Sequence, residues 1–215
     1  MAKMKNKNFD RTVVTVLGIA AYCFLILQGI FTQVYTWIPD AAFSIVLTFF
    51  CLWQWKNLKL TVPIFFLILF ALFLHDAGIL GFYSTSPLFL PWDQVTHFIG
   101  LFAVGVFFFN FFEDKLQKGK SFHNLFLLFI ILLASLGVGS LIENVEFAGY
   151  TFLGKGEGVL YFGEGDGILE PIDTDMMNFA GGGWHNAMRD LISNLLGALA
   201  GIVVMLIHRH IILKK

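Results

Sequence analysis

Six long runs of apolar residues, separated by short polar or basic segments, organise the chain. They fall at about 12–32, 40–55, 60–81, 91–112, 123–145 and 187–208. An α-helix needs about 17 to 25 apolar residues to cross a hydrocarbon core about 30 Å thick. The run at 40–55 is short for this, but Tyr35, Trp37, Trp53 and Trp55 flank it, and Trp and Tyr favour the membrane–water interface. Trp92 and Trp184 also fall at expected span ends. The pattern therefore predicts an all-α, polytopic membrane protein, a bundle of about six transmembrane helices. Residues 1–215 read as a single integral membrane domain, with no internal repeat and no soluble domain. The first run is too long for the core of a signal peptide. Tyr22 stands before Cys23, where a lipoprotein signal wants a small residue, so the first helix is expected to stay uncleaved.

Composition agrees. Of 215 residues, 57% are hydrophobic and 13% charged, against about 25% charged in soluble domains. The net charge of −1 says little, because the charges are segregated. With the N-terminus in the cytoplasm, 12 of the 14 Lys and Arg residues fall on the inside, leaving only Lys155 and Arg189 outside. The positive-inside rule then sets both termini in the cytoplasm. This is the expected topology in a bacterial or archaeal cytoplasmic (inner) membrane. The acids do the reverse: all but Asp10, Glu113 and Asp114 lie outside or at the outer ends of spans. The last outside loop, about 147–186, is long, acidic and glycine-rich, with GKGEG, GEGDG and GGG. It reads as a lid or a disordered acidic loop. Cys23 and Cys51 sit inside apolar runs and read as core residues.

The polar residues inside the spans converge on one layer. At about 1.5 Å per residue, His75 lies about 24 Å past Lys59, just below the outer boundary. The fourth helix enters at PWDQVTH, which sets Asp93 and His97 in its first two turns and on one face. Glu143 and Glu146, in SLIENVE, share a face one turn apart at the expected end of the fifth helix. There the helix dipole and their mutual repulsion both oppose their charge. Asp190 and Asn194 are four apart near the start of the sixth. Simple readings compete: Asp93 and Asp190 suit helix N-termini, and His75 suits a C-terminus. Asp76 points away from His75, while His185 lies just before the last helix, within reach of the cluster. His123, His208 and His210 read as interfacial.

The candidate ligands of a divalent metal are His75, Asp93, His97, Glu143, Glu146 and Asp190. Carboxylate and imidazole donors without thiolates suit zinc, iron or manganese. The spacing is Asp-x-x-x-His and Glu-x-x-Glu, not the Glu-x-x-His of di-iron bundles. A metal-activated water beside a glutamate base would hydrolyse a lipid or envelope substrate at the outer leaflet, with Glu143, Glu146, Asp93 and His97 as catalytic candidates. Two other classes stay open: a proton-coupled transporter, since buried acid and His pairs also make relays, and a non-catalytic envelope binding or structural protein. The bilayer is the expected partner, and nucleic acid is not. DTDMMN lacks the glycine and distal Glu of a calcium loop. GALAG is a Gly-x-x-x-Gly, suited to close helix packing.

Four stretches in order, LHDAGILGFYSTSP, PWDQVTHFIGLF, LIENVEFAGY and RDLISNLLGALAG, resemble the YjdF-type bacterial inner membrane proteins. The last is also similar to the final helix of the VanZ-like proteins, which carry Asp, Asn and Gly at this spacing. The resemblance covers roughly residues 70 to 201. By position it implies His75, Asp93, His97, Glu143, Glu146, Asp190 and Asn194 as the matching set. It departs from the family pattern at Phe147, where Trp is expected, and in the long loop holding Asp173 and Asp175. The VanZ-like proteins' link to glycopeptide resistance implies an envelope role.

Overall fold

The computed structural model describes residues 2–83, 85–153 and 182–213. The loop expected at 147–186 falls largely outside them, with Lys155, Asp173 and Asp175, and the side chains of Trp184 and His185 are not among the described ones. Among the described residues six α-helices form the bundle: α1 (Ala2–Thr32), α2 (Ile38–Trp53), α3 (Val62–Asp76), α4 (Trp92–Phe112), α5 (Phe122–Leu153) and α6 (Gly182–Leu213). Each, taken with any 3-10 turn that adjoins it, provides a segment long and apolar enough to cross a bilayer, and there is no strand among the described residues. The chain is a multi-pass helical membrane protein.

The short second run is completed by its flank. A 3-10 turn at Tyr35–Trp37 runs directly into α2, giving a span at Tyr35–Trp53 of 19 residues. Such a length covers about 28 Å, close to one hydrocarbon core. Pro39 in the first turn of α2 and Pro63 in that of α3 occupy positions where a missing N–H costs no helical bond. α3 gives way after Asp76 to a 3-10 turn at Ala77–Leu80, which stops at Gly81 with φ of 79°. Glycine adopts that left-handed conformation without strain.

One expected boundary is corrected. α5 does not end near residue 145 but continues to Leu153, so Glu143 and Glu146 lie inside a helix rather than at its C-terminus. α6 begins at Gly182, close to its expected start near Trp184, and Asp190 lies beyond its first turn. A helix satisfies its own backbone groups whether lipid or water surrounds it. The apolar pattern marks where lipid ends, not where the helix does. The dipole arguments for these three acids therefore lapse, since the effect fades beyond the terminal turn.

α4 is central, packing on α3, α5 and α6, and most extensively on α6. The GALAG stretch explains that closeness. A Cβ built on Gly197 would sit 2.2 Å from Phe98 O, and one on Gly201 would sit 2.5 Å from Phe102 O. From the other side, a Cβ on Gly105 would sit 2.7 Å from Ala198 O. The obstacles are backbone atoms, which cannot rotate away. Gly201→Ala should therefore force α4 and α6 apart and cost about 1–3 kcal/mol, as overpacked cores do. Thermal melting in detergent checks this, and an unchanged melt would contradict the close contact.

The basic end of the bundle is tied by capping. Lys59 Nζ donates to Phe111 O at 2.9 Å and pairs with Asp114 at 2.8 Å. The Arg209 guanidinium donates to Glu113 O and Leu116 O at 3.0 and 2.8 Å. Cations thus meet carbonyls left open just past the end of α4. The tryptophans divide. Trp53 is exposed, but Trp37 and Trp92 are buried, and Trp92 Nε1 donates to Leu74 O at 3.0 Å. These two are core residues rather than interface anchors. Cys51 is buried as expected, whereas Cys23 is exposed on the outer surface of the bundle; both are free thiols.

Candidate functional site

At the opposite end from the basic residues, three helices bring acids and one imidazole together. Asp93 in the first turn of α4 and His97 one turn later share a face, with Asp93 Oδ1 at 3.2 Å from His97 Nε2. The other ring nitrogen, Nδ1, is 3.1 Å from Asn194 Oδ1 on α6 and 3.5 Å from Glu143 Oε1 on α5. Asp190, one turn before Asn194, completes the group with Asp93 and His97, while Glu146 completes a second with His97 and Glu143. In each group the ligand-type atoms lie within 4.8 Å of one another. Asp93, His97, Asp190 and Asn194 are all buried, and Glu143 and Glu146 partly so. Gly139 of α5 makes room for Asn194, since a Cβ there would sit 2.8 Å from its Nδ2.

The hydrogen bonding is incomplete. Both nitrogens of His97 face oxygen atoms, yet a neutral imidazole has only one N–H to give. Glu143 Oε1, Asp190 Oδ1 and Asn194 Nδ2 are buried without a hydrogen-bond partner. Four carboxylates around one imidazole carry an excess of negative charge. Arg189, on α6 beside Asp190, is exposed. Buried carboxylates require a proton or a cation between them. The donors are oxygen and imidazole nitrogen, and neither cysteine belongs to the groups, so the residues fit zinc, iron or manganese. The orphaned oxygens of Glu143 and Asp190 are free to act as ligands.

His75 belongs to neither group. Its Nδ1 is 3.1 Å from the Tyr83 hydroxyl and its Nε2 is 3.9 Å from Asp40 Oδ2. Tyr83 donates onward to Thr96 Oγ1 at 3.2 Å, and Thr96 to Asp93 O at 2.7 Å. Trp37 stacks on Tyr83 with ring centroids 4.9 Å apart and meets His75 edge-on at 5.3 Å. Asp76, set aside in the sequence because it points away from His75, is 0% exposed. Asp40 and Tyr83 are contributors that sequence reasoning passed over. A usable signal for Asp40 was Pro39, which places it in the first turn of α2, at the same end of the bundle as Asp93.

The fold defines a polytopic helical membrane protein, with a buried cluster of carboxylates and one imidazole at one end of its bundle. A family model described as "Predicted membrane protein (DUF2238)" matches residues 12–210, and the chain belongs to that family. Neither the curated proteins nor the solved structures give a match.

Proposed function

We propose that the α4–α5–α6 site holds a divalent cation and supports hydrolysis of a lipid or envelope substrate at the outer face of a bacterial or archaeal cytoplasmic membrane. The observation that carries this reading is His97, shared by two ligand groups drawn from three helices. Asp93, His97 and Asp190 would form the core of the ligand set, with Glu143 and Glu146 completing it from α5. Such an ion, when bound, supplies Lewis acidity to a scissile acyl or phosphoryl oxygen. The α5 glutamate left off the ion takes the proton of the attacking water as general base. Asn194 fixes the His97 ring by its contact at Nδ1. The ordered motifs that resemble the YjdF-type proteins and the VanZ-like final helix support the envelope setting.

A proton-coupled transporter is less well supported. Of the buried hydroxyls deeper in the spans, Thr48 donates to Ser44 O at 2.7 Å and Ser135 to Ile131 O at 2.9 Å, each on its own helix, while Tyr22 donates to Leu69 O of α3 at 2.7 Å. Among the described residues these three hydroxyls donate to backbone carbonyls and not to further ionisable groups.

Two experiments test the reading. A cysteine placed at Gly163 should react with an impermeant reagent in whole cells, and one placed at Lys118 should not; the reverse pattern would invert the topology. Phosphodiester and ester lipid analogues should be cleaved by the Mn2+- or Zn2+-loaded protein, and Glu143→Gln and Glu146→Gln should lower turnover by about 100-fold or more, the scale of lost general-base catalysis. Cleavage unaffected by both substitutions and by chelator would overturn it.

A further inference from the structure

Away from the polar layer, the flank shared by α1 and α3 carries an open apolar groove. Val14, Gly18 and Ala21 of α1 line it together with Phe66, Phe70 and Phe73 of α3. The α1 residues recur at helical spacing and form one stripe, whose small members Gly18 and Ala21 leave the hollow. Leu69 packs beneath, since a Cβ on Gly18 would lie 2.7 Å from Leu69 Cδ1. Next to Ala21, the Tyr22 hydroxyl donates to Leu69 O at 2.7 Å and ties the two helices together at this level. The hollow measures about 170 Å³, against about 10–15 Å³ for a single water. It is therefore larger than a packing defect. Phe66 and Phe70 are 54% and 40% exposed, so it opens to the outer surface of the bundle. Its lining is apolar and belongs to two spans, so hydrocarbon rather than water fills it.

Arg11 supplies the second observation. It continues the same stripe, one turn before Val14 and two before Gly18. Its guanidinium lies over the Trp55 ring, 5.2 Å from the centroid, and Trp55 meets Phe65 edge-on at 5.3 Å. The side chain is thus drawn towards the start of α3, at the mouth of the groove. Stacking covers the face of a guanidinium and leaves its N–H edge for an anion. Among the described residues no carboxylate pairs with it. The adjacent Asp10 is exposed and points about 100° away around the helix. From Arg11 to Ala21 the helix rises about 15 Å, half of a hydrocarbon core about 30 Å thick. A cation at headgroup level with an apolar hollow below it, reaching to the midplane, is the outline of one lipid in one leaflet.

We infer that the α1–α3 groove seats one acyl chain of an anionic phospholipid, with the lipid phosphate on the Arg11 guanidinium. Charge complementarity and the one-leaflet length together select this occupant. Arg is the side chain best suited to a phosphate, because its fork can give two parallel N–H bonds to the oxygens. A zwitterionic lipid would fill the hollow equally well but would bring its own cation towards Arg11. The inference rests neither on hydrolysis nor on the α4–α6 site, and it holds for whichever leaflet meets the basic end of the bundle.

The test is titration of the full chain in a mild detergent with phosphatidylglycerol or phosphatidylcholine, read by native mass spectrometry and thermal melting. Wild type is expected to hold one phosphatidylglycerol per chain, about fivefold or more tightly than phosphatidylcholine, the scale of one basic residue against an anionic lipid. Arg11→Gln should erase that preference and keep the fold, because the residue is only half-buried at a span end. Gly18→Leu should fill the hollow and weaken both lipids. Lys120→Gln, an exposed change at the same end of the bundle, is the control and should behave as wild type. Should Gly18→Leu fail to fold, Arg11→Gln against Lys120→Gln decides alone. Equal binding of the two lipids by wild type, a preference kept in Arg11→Gln, or one lost equally in Lys120→Gln would overturn the inference. So would a lipid-free wild-type dimer that Gly18→Leu dissociates, which would make the groove a contact between copies.

Discussion

His97→Ala should abolish cation binding at the α4–α6 site and leave the protein markedly less stable. His97 is the one residue common to both ligand groups, so its loss breaks each at once. Changes to outer partners of a metal already cost about 10- to 100-fold in affinity, and loss of a shared ligand should cost at least about 100-fold. Without the ring, Asp93 loses its 3.2 Å partner and Glu143 its 3.5 Å neighbour. Stripping one partner from a buried charged pair costs about 3–5 kcal/mol. Calorimetry and thermal melting of the same detergent-purified sample give both numbers. Wild-type affinity and wild-type melting together would contradict the geometry.

Trp37→Ala should be the most damaging change outside that site. The indole is 2% exposed, stacks on Tyr83 and packs edge-on against His75. It joins a buried cluster with Leu25, Ala41, Ala77 and Ile79. Truncating a buried Trp costs about 3–5 kcal/mol through lost contacts and the cavity left behind. Trp53, 78% exposed, is the control, and Trp53→Ala should change stability by about 0.5 kcal/mol or less. Equal melting of the two variants would show that the Trp37 ring is not in the core.

The spans were legible because the bilayer imposes a length and an apolar composition that a sequence cannot disguise. Their segregated charges were equally plain. What the pattern concealed was the inward or outward direction of individual residues. A tryptophan at a span end reads as an interface anchor, yet Trp37 and Trp92 turn inward. A near-uniformly apolar helix such as α3 offers little periodicity to say which face carries Asp76. Asp40 was counted among the outer acids because nothing local separates a solvated acid from one facing His75 across a helix pair. The layer shared by Asp93, His97, Glu143, Glu146 and Asp190 could be anticipated, since helix rise alone sets their depth. The pairing of His75 with Asp40 and Tyr83 could not, because it depends on which helices are neighbours.

The two glutamates of α5 decide between a cation and a proton as the partner of the buried carboxylates. Glutamine resembles a protonated glutamate in shape and charge but is a poor metal ligand. The central claim is tested most directly by the metal content and thermal melting of protein purified without chelator, measured for wild type, Glu143→Gln and Glu146→Gln, each before and after chelator. A bound cation predicts metal in the wild type, a melt lowered by chelator, and both glutamine variants depleted of metal and indifferent to chelator. Metal-free wild type, with all three proteins melting alike whether or not chelator is added, would contradict it.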